Sequence, residues 1–131
     1  MDNNYPFVNL NDLDLSKKKK ICLFGSGLIA KKTIDFFSDQ KIDKIYDNSK
    51  NLWNEIFKGL KIYNPNKIKK GEFIIITSSS FGEISQQLVK KKLLPYKDFI
   101  ISPVLNNIKI ISELENKKVR IIFSSGAPPN K

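Results

Sequence analysis

The chain has 131 residues, about one domain's worth, and its 23 Lys+Arg against 13 Asp+Glu leave a formal charge of +10 with no histidine. Without imidazole there is no Ser-His-Asp or Cys-His nucleophile and no His-ligated zinc, and the single Cys22 excludes an internal disulfide and a multi-thiolate metal site. A hydrophobic content of 40% is that of an ordinary globular chain able to bury one core.

Residues 1–16 are polar, with Asn3, Asn4, Asn9 and Asn11 and acidic Asp12 and Asp14, and read as an N-terminal arm. They hold no basic leader followed by an apolar stretch. No window of the chain reaches the roughly 18 apolar residues of a spanning helix, so a cytoplasmic protein without membrane contact is expected. The lysine run at 17–20 opens an apolar segment, 21–24, that stops at Gly25 and has the length of a strand buried on both faces. From Leu28 the spacing turns helical, with Ile29, Thr33, Ile34, Phe36 and Phe37 on one side and Lys31, Lys32, Asp35 and Ser38 on the other.

A second short strand, 44–46, ends at Asp47, Asn48 and Ser49, residues suited to a turn or a helix N-cap. An irregular stretch anchored by Trp53, Ile56 and Phe57 follows, and residues 59–63 alternate like an edge strand. Asn64-Pro65 predicts a brief helix that Lys70-Gly71 closes. Residues 73–77, Phe-Ile-Ile-Ile-Thr, give the strongest strand signal and again show no alternation. A helix over 81–92 carries Ile84, Leu88 and Val89 on one face and Lys90, Lys91 and Lys92 in its last turn, where cations suit the helix dipole. Beyond Pro95 the pattern predicts a strand at 99–101, a helix from Val104 to about Leu114 and a strand at 119–123.

Strands alternating with helices at this interval predict an α/β class chain: a Rossmann-like three-layer fold with a mostly parallel sheet of about five strands. The domain is expected to run over 17–125. Residues 126–131 are a tail, or the start of a further segment of the same protein. The excess charge is almost wholly lysine, Arg120 being the one arginine, and Ile and Asn are enriched beside it. Such a bias is more often compositional than a binding surface.

The motif that carries chemistry is Gly25-Ser26-Gly27-Leu28-Ile29-Ala30, a G-x-G-x-x-A where the first strand meets the first helix. Gly25 allows the sharp turn, Gly27 lets the backbone approach a pyrophosphate, and Ala30 permits close packing of helix on strand. The helix amides and dipole then face the anion. Asp47, at the end of the second strand, is placed to accept hydrogen bonds from ribose hydroxyls and disfavours a 2′-phosphate, so NAD or a UDP-type nucleotide is expected over NADP. Thr77, Ser78 and Ser79 leave the third buried strand at the same edge, either to contact phosphate or sugar or to cap the next helix. The competing reading is a turn whose glycines serve packing alone.

Tyr46 with Lys50 and Tyr63 with Lys67 fit a Tyr-x-x-x-Lys spacing, but in so lysine-rich a chain about one such match arises by chance. Asp35, Asp39 and Glu83 fall on helix bodies or ends rather than in the expected crevice, which leaves no clear general base. A binding domain without catalysis of its own, and with no catalytic or metal-ligating residues to name, is expected.

Four segments, KKICLFGSGLIAKKTIDFF, IYDNS, LWNEIFKGLKIYNP and EFIIITSSSFGEISQQL, resemble the small Rossmann-like modules of bacterial surface-sugar enzymes. These are the N-terminal domains of sugar acyltransferases and of nucleotide-sugar 4,6-dehydratases, and the C-terminal domains of sugar C-methyltransferases. The resemblance covers about two thirds of the chain. It implies phosphate contacts at Gly25, Ser26, Gly27 and Leu28, ribose or base contacts at Asp47 and Asn48, and a sugar or nicotinamide side lined by Ser78, Ser79 and Ser80. NAD or a nucleotide-sugar is the implied ligand, and polysaccharide biosynthesis the implied setting. The hexapeptides of a left-handed β-helix and a second catalytic half are both absent from the sequence.

Nucleic acid is a weaker expectation. The lysine runs flank different elements and lack interleaved aromatic or arginine residues. A further domain of the same protein is an expected partner. So is a second copy meeting the apolar face of Ile108, Ile110, Ile111 and Leu114.

Overall fold

Two neighbouring strands form the centre of the molecule because their runs 21–24 and 73–76 are apolar on both faces. The computed structural model describes residues 5–8, 15, 18 and 20–106. β1 (Lys20–Phe24) runs parallel to β2 (Ile42–Tyr46) on one side and to β5 (Glu72–Ile76) on the other. All five β5 residues are buried, as expected for a strand covered above and below. β6 (Phe99–Ile101) continues the sheet in parallel beyond β5. β4 (Leu60–Tyr63) pairs parallel to β2, and β3 (Ile56–Phe57) pairs antiparallel to β4. The six-stranded order is therefore β3-β4-β2-β1-β5-β6.

Two α-helices are found among the described residues, one against each face. α1 (Leu28–Phe36) brings Ala30 and Ile34 onto the side of Leu23, Ile45 and Ile75, and α2 (Phe81–Lys90) packs Ile84 and Leu88 against Cys22, Ile74, Phe99 and Ile101. α2 ends in a Schellman arrangement: the Leu93 amide donates to the Leu88 carbonyl at 3.1 Å and the Lys92 amide to the Val89 carbonyl at 2.9 Å. Lys92 occupies the left-handed position, φ 73°, that glycine usually fills, at a cost of about 1 kcal/mol. The N-terminal segment lies along the other side of β6. The Ile101 amide donates to the Pro6 carbonyl at 2.9 Å, and Tyr5 and Phe7 meet the Phe81 ring edge-on.

This architecture corrects the expected Rossmann-like three-layer fold with a mostly parallel sheet of about five strands. Among the described residues the sheet is six-stranded and mixed, and the architecture is strand-rich, with two α-helices instead of full helical layers. The reason lies in the connections. Lys58 and Gly59, with φ 52° and 82°, close a two-residue hairpin that turns the anchoring stretch around Ile56 into a strand and moves 60–63 away from the sheet edge. Between β4 and β5 the Asn64-Pro65 start delivers a single 3₁₀ turn, Pro65–Lys67, capped by the Asn64 side chain on the Asn66 amide. Ile68 then leaves helical geometry at ψ 132°, too soon for an α-helical crossover.

Phe36, expected on the apolar face, is 47% exposed, and Val89 is 49% exposed; Trp53 is half-buried. From Val104 the described chain forms the 3₁₀ turn Pro103–Asn106. The rest of that predicted helix with its Ile108, Ile110, Ile111 and Leu114 face, the strand at 119–123 and the tail lie outside the described residues. No helix among the described residues is long and apolar enough to cross a membrane.

Candidate functional site

The glycine turn sits where the two central strands deliver it, at the C-terminal rim of the sheet. The Gly25 amide donates to the Tyr46 carbonyl at 2.7 Å, and the Thr77 amide donates to the Phe24 carbonyl at 2.9 Å, so the turn hangs between the ends of β2 and β5. Gly25 has φ 122°, and a side chain there would stand 2.8 Å from the Thr77 carbonyl oxygen. Its lack of a Cβ is a packing requirement. Gly27 differs: it heads α1 at φ 152°, and nothing lies within 4 Å of where its Cβ would be.

α1 begins without a side-chain cap and without an acidic residue in its first turn. The amides of that first turn have no partner within the helix, and the positive end of the dipole faces the opening above Gly27. Leu28, the first helical residue, is half-buried. The local chemistry favours an acceptor or an anion.

Asp47 is a clamp on this turn. Its Oδ2 accepts from the Ser26 amide at 3.0 Å and from the Ser26 hydroxyl at 2.9 Å, and its Oδ1 accepts from the Ser49 amide at 2.8 Å. Three of its roughly four acceptor positions are thus used within the protein. The Asp47 carbonyl accepts from the Trp53 indole at 2.7 Å, which fixes the loop after β2. Asn48 and Gln87 exchange two amide hydrogen bonds of 2.9 and 3.0 Å, tying that loop to α2. Gln87 carried no signal in the sequence, since nothing local marks a polar helix residue that meets a loop 39 positions away.

The hydroxyl residues after β5 divide their roles. Buried Thr77 donates to the Gly25 carbonyl at 2.7 Å, the Ser78 hydroxyl accepts from the Ser80 amide at 3.0 Å, and Ser79 is exposed. α2 has Ser80 at its N-cap, yet no side chain caps it. The structure therefore gathers Gly25, Ser26, Gly27, Leu28, Asp47, Asn48, Thr77, Ser78 and Ser79 at one rim, several of them joined by direct hydrogen bonds.

A second polar cluster, unmarked in the sequence, lies on the α2 side of the sheet. Glu72, 5% exposed, accepts from the Tyr46 hydroxyl at 2.6 Å, from the Lys69 amide at 3.1 Å and from the Lys44 ammonium at 3.1 Å. Burial pushes the Glu72 carboxyl up, but these hydrogen bonds and the Lys44 charge outweigh it and hold the group below its ordinary value. Lys44 is opposed by burial and raised overall by Glu72, and its ammonium also faces the Tyr63 ring at 5.3 Å. Burial and then Glu72 raise the Tyr46 hydroxyl far above its usual range, and the same causes push the Cys22 thiol up to about 12. The Tyr46 hydroxyl and the Cys22 thiol therefore stay protonated near neutrality. Tyr46 belongs to this network and not to a Tyr-Lys catalytic pair. An adjacent Glu before an Ile run was the one available sequence sign. Among the described residues no group of three or more Cys, Asp or Glu is arranged to hold a metal ion.

No curated protein and no solved structure matches the chain significantly. A family model described as C2185-like, N-terminal, matches residues 17–101, which run from just before β1 to the end of β6 and include both the glycine turn and the Glu72 cluster. On that match, which spans well over half of its length, the chain belongs to the C2185-like N-terminal domain family.

Proposed function

We propose that this domain binds a nucleotide, NAD or a nucleotide-sugar, with the pyrophosphate at the Gly25-Ser26-Gly27 turn, and that it serves carbohydrate or surface polysaccharide biosynthesis in the cytoplasm. One observation carries the phosphate half of this reading: Gly27 leaves open space directly above the uncapped head of α1. Asp47 holds Ser26 in place and keeps one acceptor position for a ribose hydroxyl. The sugar-enzyme setting rests on the four sequence segments that resemble nucleotide-sugar modules.

Calorimetric titration with NAD, NADP and UDP-glucose tests the reading. Saturable binding of NAD or UDP-glucose is expected, with NADP weaker because of the Asp47 carboxylate. A methyl group at Gly27 meets no protein atom but sits on a backbone at φ 152° and ψ −154° that L residues rarely adopt, so Gly27→Ala is expected to cost about 1–2 kcal/mol of stability and to weaken binding by roughly tenfold or more, read at a temperature where the variant is folded. Gly25 favours a second reading, a scaffold whose glycines serve packing alone. Absence of binding by all three nucleotides would establish it.

A further inference from the structure

A cleft of about 350 Å³ opens at the end of the sheet opposite the glycine turn, beside the first residue of β5 and the end of α2. β5 spans roughly 16 Å, so the cleft and the turn are separate places. Its wall carries Lys69 and Lys70 from the β4–β5 connection and Lys91 and Lys92 from the turn after α2. None of these four ammonium groups has a side-chain hydrogen bond or ion pair among the described residues. The carboxylates in the wall do not balance them. Glu72 is already paired with Lys44 and bonded to Tyr46, and Asp98, which accepts from the Leu94 amide at 2.7 Å, keeps its charge and sets one carboxylate against the four ammonium groups.

Two further features shape the place. Lys92 holds the left-handed position of the helix C-terminus, φ 73°, where glycine would be less strained. The carbonyls of Leu88 and Val89 at the end of α2 are capped by the amides of residues 91–93, which blunts the negative end of the dipole. Ile68 and Leu93 add an apolar flank.

We propose that this cleft binds a small anion carrying two or more phosphate groups. Four lysines act as point charges without planar recognition, which suits clustered phosphate charge rather than a carboxylate fork. A concave site of this volume matches a small molecule better than a nucleic-acid backbone, which calls for an extended charged track.

Titrations of the full chain with sodium tripolyphosphate, followed by amide shifts in ¹H–¹⁵N spectra, test the proposal. One saturable site is expected, with the largest shifts at residues 69–72 and 91–93. The pair Lys70→Glu with Lys91→Glu should weaken binding by roughly tenfold or more, whereas Lys58→Glu with Lys61→Glu, the same change in net charge on the β3–β4 hairpin, should weaken it less than about threefold. Fructose 1,6-bisphosphate as a second probe separates the sources: tighter binding than tripolyphosphate assigns the cleft to an organic phosphate ester, and the converse to inorganic polyphosphate. Equal weakening by the two lysine pairs overturns the proposal, as do multiple non-saturating events. So does tripolyphosphate binding that is lost in Gly27→Ala but kept in the Lys70/Lys91 pair, which places the anion at the glycine turn. Preference for a single-stranded oligonucleotide, with no effect of the Lys70/Lys91 pair, overturns it too.

Discussion

The two rims of the sheet are built from opposite materials. At the C-terminal rim backbone amides, hydroxyls and one carboxylate, Asp47, shape the turn. At the N-terminal rim a buried carboxylate, Glu72, is paired with Lys44, and Lys69, Lys70, Lys91 and Lys92 line the cleft beside it. A parallel sheet explains the division. Strand ends at one rim feed helix N-termini, which select acceptors and small residues, while the other rim receives helix C-termini, which select cations. Net charge on the whole chain conceals this polarity. The difference teaches that a net charge of +10 can be spread unevenly, with one rim shaped by uncharged donors around a single carboxylate and the other lined by ammonium groups.

The comparison can be broken first at Glu72, where the largest effect is expected. Glu72→Ala strands the Tyr46 hydroxyl, the Lys69 amide and the Lys44 ammonium, and should cost about 3–5 kcal/mol in urea unfolding. The pH dependence sharpens the point. Because the folded Glu72 carboxyl lies below its ordinary value of 4.5, its contribution is present above that pH and is lost as pH falls through the folded value. Wild type should therefore lose stability below pH 4.5 more steeply than Glu72→Gln. Tyr46 is raised above 10.0, so its contribution is present below that pH and lost on going higher; Tyr46→Phe should flatten the alkaline limb.

Next comes Gly25→Ala at the opposite rim. A Cβ 2.8 Å from the Thr77 carbonyl, on a backbone at φ 122°, should cost roughly 2–3 kcal/mol, read as a lower thermal midpoint. Gly27→Ala carries backbone strain at φ 152° without the clash, so a Gly25→Ala loss no larger than that of Gly27→Ala would remove the distinction between a packing glycine and an access glycine. Smallest is Asp47→Ala, expected at about 1–2 kcal/mol because the Ser26 and Ser49 donors lie close enough to water to be resolvated. A loss equal to that of Glu72→Ala would show that the two rims are stabilised alike.

The central strands were readable because 21–24 and 73–76 are uninterrupted apolar runs, as burial on both faces requires. The glycine turn was readable for the same local reason: the strand ends at Gly25 and the helical period begins at Leu28. The β3–β4 hairpin was not. Its turn, Lys58-Gly59, carries lysine at a positive φ, so the usual Asn-Gly or Asp-Gly signal is missing and the register depends on pairing with β2. Likewise the Asn64-Pro65 helix start is real, but the chain back to β5 is too short to extend it.

By itself the sequence determined the parallel centre and the place of the turn, since each rests on residues adjacent along the chain. Only the tertiary structure decided that the sheet is mixed, that Asp47 bonds Ser26, and that Glu72 gathers Tyr46 and Lys44. It alone brought Lys69 and Lys70 to the cleft that Lys91 and Lys92 share. Apart from the β3–β4 hairpin, whose partners Ile56 and Lys61, and Phe57 and Leu60, are close along the chain, those are contacts between residues some twenty or more positions apart, fixed by strand order and register.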